Sequence, residues 1–408
     1  MEFTQAQLPN GLTIVGEINP AAASLAVGFF VRTGSRDETP EVAGVSHFLE
    51  HMMFKGTEGR TAFDINREFD EMGANYNAFT AEENTVYYGA VLPEFQDRLL
   101  ELLGDMLRPA LRADDFDTEK NVILEEIALY QDRPQFRLYE KLMAAHFAGH
   151  PLANSILGTR ESITDLKRDD MCAYFERRYS PSNVTLVSVG RTDWDALLAA
   201  ASDACGHWVD CQAPREVAAH TPAFTADVIA DDKLGRQYVA LMGAGPSAQD
   251  EDRYAASLAA TILGDSSGSR LFYALIEPAI AEEASCACES LDGTGAVLTF
   301  LVTAPDRAAE ALGIARDELK RFQDDGPTDR ELTAARNKTA SAATLKGELP
   351  MGRLTAVGFD WVYRRRYRSL AEHIDRLMAV TAGDIVRVAR QYDLTRTTVL
   401  GLGPNKTL

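Results

Sequence analysis

The sequence predicts an α+β protein of two homologous domains, each a largely antiparallel sheet packed with helices. The chain has 408 residues, a length that suits two cores of roughly 200 residues better than one. Hydrophobic residues make up 46% and charged residues 25%, which is the balance of a globular protein. Strand patterns and helix patterns occur in groups rather than in strict alternation, and this grouping favours α+β over α/β.

One pattern occurs twice along the chain. Residues 171–190 match residues 384–403 without a gap, so that Tyr179 aligns with Tyr392 and Gly190 with Gly403. Each copy has the pattern of an amphipathic helix, a polar turn and an apolar strand that closes on glycine. The repeat indicates that two related units end in the same way.

The repeat also divides the chain. We expect a first domain at 1–212 and a homologous second domain at 213–408. A linker is expected at 211–224, where two prolines interrupt a stretch without clear periodicity.

The first half contains the elements of one such domain. Alternating or continuous apolar runs predict strands, and longer amphipathic runs predict helices. The predicted strands are 12–15, 24–31, 75–80 and 85–91, and the predicted helices are 42–54, 94–107 and 114–130.

Composition excludes several classes of function. The net charge of −20 argues against a nucleic-acid partner, which requires a basic surface. The longest apolar run near the start, residues 24–31, is far shorter than the ~20 residues that cross a bilayer. No basic and apolar leader pattern opens the sequence, so we expect a cytoplasmic protein without a membrane partner.

Three residues of the first predicted helix have the spacing of a metal site. His47, Glu50 and His51 fall within about 100° of one another on a helix, so two imidazoles and a carboxylate share one face. Two histidines at this spacing can bind one zinc ion, and the glutamate can serve as a base for an attacking, zinc-bound water. The H-x-x-E-H pattern therefore predicts a zinc centre for amide hydrolysis.

The third ligand is expected on the helix at 114–130. Glu119, Val122, Ile123 and Glu126 lie on one stripe of that helix, where two carboxylates would be costly to bury without a cation. Glu125 lies roughly 100° from Glu126 and points elsewhere. We therefore expect Glu126 to bind the metal and Glu119 to support the site.

A second histidine pair, His146 and His150, has the same spacing. Gly149 and Pro151 should end the helix before the second histidine joins the first on one face. This pair is therefore not expected to bind the metal.

The residues resemble the pitrilysin and insulinase family of inverted-motif zinc peptidases, in its half-size type similar to the subunits of the mitochondrial processing peptidase. The resemblance covers nearly the whole chain and is strongest in GSRDE, GVSHFLEHMMFKGT, NAFTAEENTVYY and TEKNVILEEIALY. It implies His47, His51 and Glu126 as ligands of one zinc per chain, with Glu50 as general base. It also implies Glu119 as the supporting carboxylate.

The family implies further features of this chain. Asn77 and Ala78, on an edge strand, would bind an extended peptide as an added strand, and the second domain would lack a metal site and close the substrate chamber. Chains of this length pair with another chain in the family, which implies a dimer. An arginine and a tyrosine that reach the substrate in the family are Ile276 and Glu283 here. Either a related subunit supplies that pair in a heterodimer, or a homodimer functions without it.

Two other functions compete with an endopeptidase. The family includes subunits that keep the fold without activity, although the intact His47, Glu50, His51 and Glu126 argue against that alternative. A purely structural zinc site would normally use four ligands rich in cysteine, and no cysteine lies near this motif.

Overall fold

The computed structural model describes residues 1–218 and 220–408. Within them the chain forms two compact units. Unit 1 comprises residues 1–128, 154–216 and 345–368, and unit 2 comprises residues 129–153, 217–344 and 369–408.

The core of unit 1 is a six-stranded sheet in the order β1-β2-β6-β3-β5-β4. In this sheet the described strands β2 and β6 are parallel, and the other neighbours are antiparallel. The strands are β1 Glu2–Gln7, β2 Thr13–Ile18, β3 Leu25–Val31, β4 Asn75–Thr80, β5 Thr85–Val91 and β6 Val184–Gly190. Every residue of β3 and β6 is buried, so both faces of the sheet centre are covered.

Unit 2 repeats the arrangement with five strands in the order β7-β11-β8-β10-β9. Here β7 and β11 are parallel, and the remaining described neighbours are antiparallel. The strands are β7 Ala226–Ala230, β8 Gln237–Ala244, β9 Glu283–Leu291, β10 Thr294–Thr303 and β11 Thr397–Gly403. Two related, largely antiparallel sheets confirm the predicted fold class.

Helices pack on both sheets. In the part of the chain that the structure describes, no helix is both long and apolar enough to span a bilayer. The helices are α1 Val45–Met53, α2 Ala62–Met72, α3 Gln96–Met106, α4 Ala113–Gln131, α5 Pro134–His146, α6 Arg160–Asp165, α7 Arg168–Arg178, α8 Trp194–Cys205, α9 Arg253–Gly264, α10 Ala308–Asp325, α11 Asp329–Gly347, α12 Pro350–Arg364, α13 Leu370–Ala379 and α14 Ala382–Gln391.

The repeated sequence pattern forms the same structure in both units. Helix α7 leads into β6 in unit 1, and α14 leads into β11 in unit 2. Both strands close on a glycine with positive φ, +107° at Gly190 and +153° at Gly403. A side chain at either position would be strained, which explains why each copy ends on glycine.

The two units differ from the predicted consecutive domains, 1–212 and 213–408, by an exchange of segments. Residues 129–153 belong to unit 2, and residues 345–368 belong to unit 1. The boundary between residues 216 and 217 lies inside the expected linker, of which residue 219 is outside the described residues.

Apolar packing accounts for the exchange. Leu138 and Leu142 of α5 pack in one cluster with Leu400 and Leu402 of β11. Leu354 and Val357 of α12 pack with Phe30 of β3 and Val187 of β6. Periodicity shows which face of a helix is apolar, but it does not show which sheet that face will cover.

A buried ion pair fastens α12 to the sheet of unit 1. The Arg353 guanidinium donates through Nε to Glu17 Oε1 at 2.9 Å and through a second nitrogen to Glu17 Oε2. The Tyr367 hydroxyl donates to the same carboxylate at 2.7 Å. Glu17 is 1% exposed and Arg353 5% exposed, so each charge depends on the other for compensation.

We expect Glu17→Gln to destabilise unit 1 by about 3–5 kcal/mol, because the substitution leaves the Arg353 charge buried without its carboxylate. Urea unfolding followed by tryptophan fluorescence measures this, since all three tryptophans, Trp194, Trp208 and Trp361, lie in unit 1. The control is Glu71→Gln, which removes solvent-exposed ion pairs with Arg67 and Arg98 and should cost below about 1 kcal/mol. Equal midpoints for wild type and Glu17→Gln would show that the pair is not needed for stability.

Candidate metal centre

The position of α1 is fixed at its first turn. Gly44 has φ +91°, and a Cβ there would lie 2.7 Å from the Leu157 carbonyl oxygen, so glycine is required. The carboxylate of Glu38 accepts hydrogen bonds from the backbone N–H groups of Gly44 and Ser46, each at 2.7 Å. Burial raises the pKa of Glu38 to about 7 despite these bonds. The helix therefore begins at a fixed point and in a fixed direction.

Aromatic stacking brings α4 against α1. The rings of Phe48 and Phe116 stack with centroids 4.9 Å apart and planes 11° apart. Further along α4, Ile123 and Ile127 are buried on the same side of the helix. Lys120 donates to the carbonyl of Leu166 at 2.7 Å and fixes the outer side of α4. These contacts determine which residues of the two helices meet.

His47, His51 and Glu126 converge between the helices. Glu126 Oε2 lies 3.7 Å from His47 Nε2 and 3.4 Å from His51 Nε2, and ligand atoms of all three lie within 4.8 Å of one another. Two donors each ~2.0 Å from a tetrahedral zinc would be about 3.3 Å apart, so these separations suit that ion. Among the described residues, this is the only group of three or more potential ligands arranged in this way.

The chemistry of the donors also fits a cation. Glu126 Oε2 is buried and has no hydrogen-bond partner among the described residues, which is costly for a carboxylate unless a cation meets it. His51 Nδ1 lies 2.8 Å from Glu119 Oε1. When Nδ1–H donates this hydrogen bond to the carboxylate, the neutral ring presents the Nε2 lone pair to the shared site.

The electrostatics of the two histidines differ. Burial, with a smaller contribution from His51, lowers the pKa of His47 to about 3, so His47 is neutral and can act as a ligand at neutral pH. Burial also acts to lower the pKa of His51, but the hydrogen bond to Glu119 and the nearby Glu126 carboxylate outweigh it and raise that pKa. The carboxylates of the site thus favour positive charge at the position where the ligands meet.

Glu119 connects the site to Lys55. Its carboxylate contacts His51 through Oε1 and the Lys55 ammonium through Oε2 at 2.5 Å. Burial acts to raise the pKa of Glu119, but the hydrogen bonds to His51 and Lys55 outweigh it and lower the pKa. Glu119 is therefore an anion that orients His51 and is itself held by a lysine.

Glu50 lies on the same helix beside the ligands. The Thr80 hydroxyl, at the end of β4, donates to Glu50 Oε2 at 2.6 Å. Burial raises the pKa of Glu50, while this hydrogen bond acts in the opposite direction. A partly buried carboxylate with a raised pKa is suited to accept a proton near neutral pH.

The other residues predicted for the site also have defined positions. Asn77 and Ala78 lie on β4, at the edge of the sheet, as expected. The Ala78 N–H donates to the Asn77 side-chain oxygen at 2.8 Å. Val122 was expected on the buried stripe of α4, and this was wrong: it is 45% exposed, whereas Glu119 and Ile123 are buried.

Unit 2 contains the second histidine pair. It also contains Ile276 and Glu283, the two positions at which the resemblance implies an arginine and a tyrosine. Helix α5 ends at His146, before His150, as expected from Gly149. Ile276 closes a short π-helix, Phe272–Ile276, and is partly buried against the core of unit 2. Glu283 begins β9, is exposed and accepts a hydrogen bond from Gln135 at 2.8 Å.

Three residues that support the site were missed by sequence reasoning. They are Glu38, Lys55 and Thr80. Lys55 follows His51 by four residues, a spacing that indicates the same side of a helix, although α1 itself ends two residues earlier, at Met53. Glu38 and Thr80 lie in the quoted motifs GSRDE and NAFTAEENTVYY, but their partners depend on tertiary packing.

Two family models match the chain. Residues 13–160 match the insulinase model of peptidase family M16, and residues 165–339 match the model of the peptidase M16 inactive domain. The first match contains every residue of the candidate centre.

Curated relatives extend over almost the whole chain. A Mycobacterium tuberculosis protein named "uncharacterized zinc protease" is 31% identical over 404 residues, which cover 98% of this chain and 92% of the relative. A Bacillus subtilis protein with the same description is 30% identical, with coverage of 94% and 93%. A crystal structure of a Helicobacter pylori protease has a TM-score of 0.91 at 22% identity and covers 99% of both chains, which shows the same fold.

We expect Glu126→Ala to weaken zinc binding by at least ~100-fold, the upper range for the loss of a residue that only supports a ligand. Zinc content after dialysis, measured by atomic emission, should fall well below one equivalent per chain. Glu125→Ala is the matched control, because Glu125 is exposed on the neighbouring face of α4. Full zinc occupancy in Glu126→Ala would exclude Glu126 as the third ligand.

Proposed function

Because the chain belongs to the insulinase family of peptidases, family M16, we propose that it is a zinc-dependent endopeptidase that cleaves peptides or unfolded protein segments. The observation that carries this proposal is the convergence of His47, His51 and Glu126 beside the carboxylate of Glu50. A purely structural site would not need that adjacent base.

The proposed cofactor is one zinc ion per chain. His47, His51 and Glu126 would hold it, which leaves one tetrahedral position for a substrate or water. When bound, zinc polarises a carbonyl group and lowers the pKa of water toward ~7. Glu119, itself held by Lys55, keeps the His51 ring in the orientation that presents Nε2.

Glu50 would transfer the proton. Its Oε2 is held by Thr80, so Oε1 is the atom proposed to accept a proton from the attacking water. The same carboxylic acid can then give the proton to the amine of the departing peptide. Burial, which raises the pKa of Glu50, supports both steps because it brings the acid and base forms closer in energy at neutral pH.

The substrate would bind as an added strand on β4. That strand lies at the sheet edge, where its outer N–H and C=O groups are available for pairing. The Ala78 N–H is held by the Asn77 side chain, which an incoming peptide carbonyl could replace. Backbone pairing of this kind requires an extended peptide and favours unfolded segments.

We also propose that the chain acts as a dimer, with the second unit closing the substrate chamber. The aliphatic Ile276 and the anionic Glu283 cannot donate hydrogen bonds as an arginine and a tyrosine do. A related subunit that carries the pair would complete a heterodimer, whereas a homodimer would function without it. The alternative of a non-catalytic subunit is less consistent with the complete set of ligands and base.

We expect Glu50→Gln to abolish nearly all hydrolysis of an unstructured fluorogenic peptide, because glutamine cannot accept the proton from water. Zinc content should remain at one equivalent, since Glu50 is not among the three ligands. The assay uses the zinc-loaded chain, with zinc measured in the same sample. Turnover equal to that of wild type would remove Glu50 as the base.

The purified chain, assayed first alone and then with a related subunit, tests whether its activity needs a partner. If it forms homodimers, light scattering gives twice the 44.7 kDa chain mass, and the same fractions hydrolyse the peptide. If a partner is needed, the zinc-loaded chain is inactive until a related subunit with the arginine and tyrosine is added. Activity in a monomeric fraction would contradict the dimer proposal.

A further inference from the structure

We propose that Thr80 is a positioning residue that fixes the carboxylate of Glu50 for proton transfer. This inference rests on the proposed function, since it concerns the base of that reaction. It adds a residue of the edge strand to the ligands and base carried by α1 and α4.

The contact is short and directed. The Thr80 hydroxyl lies 2.6 Å from Glu50 Oε2, in the range of a hydrogen bond to an ionised acceptor. The contact links two regular elements, α1 and β4, so the hydroxyl of a strand residue restrains a carboxylate of the helix.

Glu50 needs such a restraint because its side chain has several rotatable bonds. A glutamate without partners samples several staggered conformations, and only some direct an oxygen at the attacking water. Proton transfer requires the base within hydrogen-bond reach, and a displacement of ~1 Å can cost ~100-fold in rate. Holding Oε2 leaves the other oxygen in a defined direction.

Thr80 lies on β4, the strand that we propose to bind the substrate, so the same strand also holds the Glu50 carboxylate. Thr80 is the last residue of β4 and pairs with Thr85 of β5. Asn77 and Ala78, which we propose to contact the peptide, lie three and two residues earlier, respectively, on the same strand. One strand thus aligns the peptide and the base relative to each other.

A threonine that only supports the strand end would behave differently from a positioning residue. Loss of a structural hydroxyl would lower stability and weaken peptide binding. Loss of a positioning hydroxyl would lower kcat while KM, the metal ligands and the fold stay unchanged. Thr80→Val and Thr80→Ser distinguish these roles, because valine keeps the shape without the donor and serine keeps the donor.

We expect zinc-loaded Thr80→Val to lose ~10- to 100-fold in kcat, with KM within about two-fold of wild type. Thr80→Ser should recover most of the lost rate. The absorption spectrum of the cobalt(II)-substituted protein, which reports on the ligands, should be the same in all three proteins. Thr85→Val is the matched control: its hydroxyl donates to the Thr33 carbonyl at 2.9 Å, so it should lower the melting temperature without lowering kcat.

Crystal structures of wild type and Thr80→Val provide a test that needs no activity. The Glu50 carboxylate should occupy one conformation in wild type and a displaced or divided one in the variant. An unchanged Glu50 conformation in Thr80→Val, or an unchanged kcat, would overturn the inference. Inactivity of the zinc-loaded wild type, alone and with a related subunit, would instead overturn the proposed function, and the crystallographic comparison would still decide the role of Thr80.

Discussion

The candidate centre depends on the packing of α1 against α4. Histidines at 47 and 51 are neighbours because helix geometry makes them so, but Glu126 is distant in sequence and joins them only through this contact. The stacked rings of Phe48 and Phe116 and the buried Ile123 fix the rotation of α4. That rotation turns Glu126 toward the histidines and leaves Glu125 exposed.

The same packing leaves one carboxylate oxygen of Glu126 without a hydrogen-bond partner among the described residues. Glu119 has His51 and Lys55 as partners, and Glu50 has Thr80, but the Glu126 oxygen between the two imidazoles has no hydrogen bond among the described residues. A buried carboxylate oxygen in that condition is costly. This oxygen therefore favours positive charge in the space between the three ligands.

Local periodicity was sufficient to predict most of the site. The spacing of His47, Glu50 and His51 requires only a helix, and the carboxylates of α4 were identified because they interrupt an apolar stripe. The prediction that Val122 is buried was wrong because Val122 lies at the margin of that stripe, where the rotation of α4 determines whether a side chain is exposed. The exchange of α5 and α12 between the sheets was also beyond sequence reasoning, because it depends on which core has room for each apolar face.

The duplicated fold shows what α1 would contain if only stability mattered. Helix α9 follows β8 in unit 2 as α1 follows β3 in unit 1, and β8 and β3 hold the same place in their sheets. The sequence of α9, RYAASLAATILG, buries alanine, leucine and isoleucine at most positions. The fold therefore accepts an almost apolar helix in this place. The buried His47 and the partly buried Glu50 and His51 of α1 reduce stability relative to that alternative, so their presence is better explained by chemistry than by folding.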